Sequence, residues 1–137
     1  MQGRVVMRHK CVILADSHQN MLEGIRGLLT TTFETVIMVA DKNSLFKAAE
    51  DLDPDLAVVD LSLPVAGEVN VARELKNRHP ELRLIILSVH DEPVAVEEVM
   101  AAGASAFVLK RSAATDLMQA VDEVSNGNLY VSPKIQA

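Results

Sequence analysis

The chain has 137 residues, 49% of them hydrophobic and 23% charged, which suits one packed domain and argues against wholesale disorder. Its net charge of −6 lacks the basic excess of a nucleic-acid-binding surface. The lone cysteine, Cys11, excludes an internal disulfide framework and a cysteine zinc cluster. No apolar run approaches the ~18 residues of a membrane span. Residues 1–10 carry Arg4, Arg8 and Lys10 but no long apolar stretch, so no secretory signal is expected. These properties describe an acidic, cytoplasmic, soluble domain. With only Phe33, Phe46, Phe107 and Tyr130 as aromatic residues, its core must be built from Val, Leu, Ile, Ala and Met.

Five short apolar runs punctuate the chain: 11–15 (CVILA), 35–40 (TVIMVA), 56–59 (LAVV), 82–87 (LRLIIL) and 105–109 (SAFVL). Continuous rather than alternating apolar character predicts strands buried on both faces, as in a parallel sheet, although a short buried helix reads similarly. The intervening stretches have helical spacing. Met21, Leu22, Ile25, Leu28 and Leu29 form one stripe, and Leu45, Ala48, Ala49 and Leu52 a second. Val69, Ala72 and Leu75 form a thinner one, followed by Val96, Val99 and Met100. Leu117, Ala120, Val121 and Val124 form the last. Pro54 and Pro80 mark loops before the third and fourth strands. Pro93 sits early in a helix, and Gly103 and Gly127 stand where helices end. Ser112 is placed to cap the last helix, with Asp116 in its first turn. The charges at Arg73, Glu74, Lys76 and Arg78 read as a solvated helix face, and Cys11 as a buried strand thiol.

The order is strand–helix repeated five times, which predicts an α/β domain with a parallel sheet covered by helices on both faces. One domain is expected over residues 10–131. Residues 1–9 form a flexible arm, and 132–137 the start of a linker.

Ligands in such a sheet bind beyond the carboxyl ends of the strands. There the first strand ends in Asp16-Ser17-His18 and the third in Asp60-Leu61-Ser62. The fourth ends in Ser88-Val89-His90 and the fifth in Lys110-Arg111. Two carboxylates, a hydroxyl and an ammonium on one edge suit phosphoryl transfer. One Asp can act as nucleophile and a second can hold Mg²⁺, while Lys and Ser bind phosphoryl oxygens. Two adjacent carboxylates repel unless a cation sits between them. The histidines at 9, 18, 79 and 90 have no metal-ligand spacing.

Over about 120 residues, the chain resembles the receiver domain of two-component response regulators. Segments 102–110 (AGASAFVLK) and 116–133 (DLMQAV…GNLYVSP) are similar to the NarL/LuxR-type class. The resemblance implies a doubly wound, flavodoxin-like (βα)5 fold with five strands in the order 2-1-3-4-5. It implies that Asp60 is the phospho-acceptor and that Asp16 belongs to the acidic pair beside Mg²⁺. The backbone carbonyl of Ser62 would be a metal ligand. Ser88 is the implied switch hydroxyl, Lys110 the phosphoryl-binding lysine and Phe107 the aromatic switch, which in the family moves inward.

Three positions depart from the family pattern. Ser17 stands where a second acid is expected and is the weaker metal candidate, because a hydroxyl binds a hard cation less well than a carboxylate. Arg111 follows the lysine in place of a common proline. Val65-Ala66-Gly67-Glu68 replaces a glycine-rich loop.

The implied partners are a sensor histidine kinase, a second copy of the chain and no membrane. DNA would be reached only through a C-terminal helix-turn-helix domain absent from this chain, which points to a piece of a longer regulator. The protein is not expected to be an enzyme. An aspartyl-nucleophile phosphatase of the haloacid-dehalogenase type would need a second Asp where Ser62 stands. A pseudo-receiver that never takes phosphate is the alternative that Ser17 favours.

Overall fold

The computed structural model describes residues 11–16, 19–60, 68–89 and 91–133, with backbone alone at 19–23 and 68–70. Five strand–helix units follow one another. They are β1 Cys11–Ala15, α1 Gln19–Thr30, β2 Thr35–Val39, α2 Lys42–Leu52, β3 Leu56–Asp60, α3 Glu68–Arg78, β4 Arg83–Ser88, α4 Pro93–Ala101, β5 Ala106–Leu109 and α5 Ala113–Ser125. A sixth strand, β6, spans Tyr130–Val131.

All strand pairs are parallel, in the order β2-β1-β3-β4-β5-β6. The expected five-stranded sheet therefore becomes six-stranded. The chain leaving α5 turns at Gly127, whose φ of +85° suits glycine, and lies alongside β5.

The sheet separates two apolar layers. Ile13, Ala57, Ile86 and Phe107 point to the side covered by α2, α3 and α4. Val12, Val58, Ile85 and Val108 point to the side covered by α1 and α5. Burial on both faces explains the continuous apolar runs. The edge strands β2 and β6 depart: each of their residues keeps some solvent exposure, and Met38 of β2 is exposed.

The helix stripes fold inward with local exceptions. Leu117, Ala120, Val121 and Val124 of α5 are buried, but Leu52 at the end of α2 is exposed. Asp41 caps α2, its carboxylate accepting from the Ser44 N–H at 2.8 Å. Ser112 precedes α5 without capping it through its side chain. A short 3₁₀ turn over Lys110–Ser112 holds Ser112 at φ −110°, ψ 8°, away from the extended geometry of an N-cap. Its buried hydroxyl has no hydrogen-bond partner among the described residues.

Lys76 is not part of a solvated face. Its ammonium donates to the carbonyls of Pro80 and Leu82, each at 2.8 Å, and burial lowers its pKa. Its stem packs against Gly103, which has φ +114°. Cys11 is half-buried rather than fully buried.

Candidate functional site

In the order 2-1-3 the connections leave β1 and β3 toward opposite faces, opening a crevice beyond their carboxyl ends. Ala15 pairs with Val59, so Asp16 and Asp60 follow at matching heights. The Asp16 N–H donates to the Val39 carbonyl at 3.1 Å, fixing its backbone to the end of β2. Asp60 is the last residue of β3, Ser88 the last of β4, and Lys110 follows β5 directly.

All four side chains are withdrawn from water: Asp16 and Asp60 are 0% exposed, Ser88 1% and Lys110 5%. The Lys110 ammonium donates to Asp60 Oδ2 at 3.0 Å and lies 3.4 Å from Asp16 Oδ2. One cation thus serves two buried carboxylates. The three groups carry a net charge of −1 in their ionised forms, in surroundings where charge is expensive. The donors are hard oxygens, and the excess is negative. That set fits a small divalent cation such as Mg²⁺, which is commonly held by one or two carboxylates together with phosphate oxygens. No group of three or more His, Cys, Asp or Glu side chains that could hold a metal ion occurs among the described residues.

Ser17, Ser62, His18, His90 and the loop over 65–67 lie outside the described residues. The backbone of Glu68 begins α3. Phe107 is wholly buried in the layer beneath α2, α3 and α4. Its register partner Val131 packs against the same cluster. At the rim, Arg111 pairs with Asp91 at 3.2 Å, both side chains about half exposed, joining the segments that follow β4 and β5.

Two features escaped the sequence reading. Ser132 is fully buried, and its Oγ accepts from the Leu109 N–H at 3.0 Å, next to Lys110. Tyr130-Val131, an aromatic and a β-branched residue in succession, is the sequence signal that could have marked β6.

The sequence model of the response regulator receiver domain matches residues 12–122. The chain belongs to the response regulator receiver family. This receiver is 32% identical over 126 residues to the transcriptional regulatory protein DegU of Brevibacillus brevis, covering 90% of this chain and 53% of that protein. It is 26% identical to the response regulator GacA of Pseudomonas aeruginosa, covering 90% and 59%. The receiver thus spans just over half the length of these curated relatives.

Among solved structures, RcsB of Salmonella typhimurium superposes with a TM-score of 0.87 at 27% identity, covering 95% of this chain and 66% of that one. A LuxR-family two-component response regulator from Aurantimonas sp. SI85-9A1 gives 0.85 at 28% identity, covering 92% and 91%. The chain is therefore a receiver domain of a two-component response regulator related to transcription regulators. No described helix is long and apolar enough to cross a membrane.

Proposed function

We propose that Asp60 is the phospho-acceptor of this receiver and that its modification is the switching event. The observation that carries this reading is the buried Lys110 ammonium shared by Asp60 and Asp16. An Asp60 oxygen attacks the phosphorus of a phosphohistidine on a sensor kinase. The P–N bond breaks, its electron pair leaves with the imidazole, which takes a proton from water, and an acyl phosphate remains. Lys110 is already in place to pair with the new phosphoryl oxygens. Ser88, at the end of β4, supplies a hydroxyl to them, and its shift is felt at Phe107.

Asp16 and Asp60, with the Ser62 carbonyl and more weakly Ser17, are the residues that would hold Mg²⁺. When bound, the ion neutralises charge on the transferring group. The receiver proper occupies residues 10–131, between an N-terminal arm and the start of a linker, and works in the cytoplasm. A solved RcsB structure holds two dimers bound to two parallel DNAs. By analogy this domain would pair with a second copy and reach DNA through an output domain outside the 137 residues.

The test is exposure to acetyl phosphate and Mg²⁺ followed by intact-mass measurement. One phosphoryl adduct, absent in Asp60→Ala, is the expected result. Absence of the adduct in the unmodified chain would favour a pseudo-receiver that acts as a phosphorylation-independent interaction domain, the reading suggested by Ser17.

A further inference from the structure

The strand β6 consists of two residues, too few to be stable by themselves. It is held by the Tyr130 N–H donating to the Ser105 carbonyl at 3.1 Å and the Ser132 N–H donating to the Phe107 carbonyl at 2.9 Å. Ser132 adds a further bond through its side chain: its Oγ accepts from the Leu109 N–H at 3.0 Å in a fully buried setting. Leu109 immediately precedes Lys110, whose ammonium holds Asp60. A two-residue strand at the edge of a sheet belongs to the low-stability end of a fold, where small changes alter its docked population. Here that segment is fastened to the backbone from which the site lysine projects.

We infer that Ser132 is a positioning residue for Lys110, and that docking of β6 and phosphorylation of Asp60 favour one another. The inference rests on the reading of Asp60 as phospho-acceptor. Docked, β6 fixes Leu109 and so the origin of the Lys110 side chain. Undocked, Leu109 keeps its pairing with Ser88 of β4 but loses its hold on the other side, so the lysine is positioned less firmly and meets the phosphoryl group less often. Linkage then requires the converse: a phosphoryl group that engages Lys110 must tighten β6 by the same factor. The chain continues from Ser132 into Pro133, so β6 also carries the state of the site toward whatever follows.

The experiment has two arms. Phosphorylation by acetyl phosphate and Mg²⁺ is followed by intact mass for the 137-residue chain and for Ser132→Ala. Hydrogen exchange at the Leu109 and Ser132 amides is read with and without the adduct. Loss of the Oγ acceptor is expected to slow labelling about fivefold, the size of one hydrogen bond. The adduct is expected to slow exchange at Ser132 by a similar factor. A residue that only stabilises the fold would leave exchange at Ser132 indifferent to the adduct.

Equal labelling rates, or equal exchange with and without the adduct, would overturn the inference while leaving Asp60 in its role. An unmodified chain that takes no adduct overturns the Asp60 reading and this one together. Should Ser132→Ala fail to fold, as judged by circular dichroism, the exchange arm on the unmodified chain decides alone.

Discussion

Lys110 donates to Asp60 across 3.0 Å with both side chains buried, and the same ammonium faces Asp16 at 3.4 Å. The two possible ways of breaking this contact differ in cost. Lys110→Met removes the ammonium that both buried carboxylates face and should cost about 3–5 kcal/mol. Asp60→Asn removes one buried negative charge and keeps the Lys110–Asp16 contact, so it should cost less than Lys110→Met or be stabilising. Urea denaturation of the two variants checks the order, and both should be dead to phosphorylation.

Cys11 offers a pH-dependent readout. Burial first, and then the Asp55 carboxylate, raise its thiol pKa. The Asp55 Oδ2 also accepts from the Cys11 N–H at 3.0 Å, so the charge is fixed nearby. The fold favours the neutral thiol. Its contribution to stability is present below the unfolded thiol pKa and is lost as pH rises through the folded one. Alkylation of the native chain should reach half its limiting rate at a higher pH than for a free thiol. Asp55→Asn should move that midpoint downward, which iodoacetamide kinetics across alkaline pH will report.

Gly103 and Gly127 both have positive φ, but their surroundings differ. A Cβ on Gly103 would lie 3.0 Å from Lys76 Cγ and 3.3 Å from Lys76 Cβ, while one on Gly127 meets nothing within 4 Å. Gly103→Ala combines backbone strain with displacement of a lysine whose ammonium is tied to two carbonyls. It should cost about 2 kcal/mol or more, and Gly127→Ala about 1 kcal/mol. The shift in urea midpoint between the two variants tests this ranking.

The two helix starts at Asp41 and Ser112 should respond in opposite senses to alanine. Asp41→Ala loses a cap bond to Ser44 and should cost about 1 kcal/mol. Ser112→Ala removes a buried hydroxyl that has no partner among the described residues. It should be neutral or stabilising by up to about 1 kcal/mol. Thermal melts of both variants are sufficient.

Much of this architecture was readable because parallel strands bury both faces. The runs at β1, β3 and β5 are apolar without interruption and that at β4 is broken only by Arg83, and their ends place Asp16, Asp60, Ser88 and Lys110 on one edge. What could not be read depends on distances or on very short elements. That one ammonium serves both carboxylates follows from the β1–β3–β5 arrangement in space, not from spacing along the chain. With only two residues, β6 has no period to detect. Ser112 has the chemistry of a cap, yet the 3₁₀ turn before α5 sets its backbone angles. Lys76 looks solvated in sequence because its acceptors are the carbonyls of Pro80 and Leu82 rather than any acid.

Tyr130 lies in β6, its hydroxyl facing Gln119 at 3.5 Å, and the chain contains no tryptophan and no second tyrosine. Ultraviolet excitation of tyrosine therefore illuminates one place in the molecule, on the strand beside Phe107. The protein carries a built-in fluorophore at the edge of its sheet, so its emission or anisotropy can follow β6 in real time while phosphodonor is added, without any label.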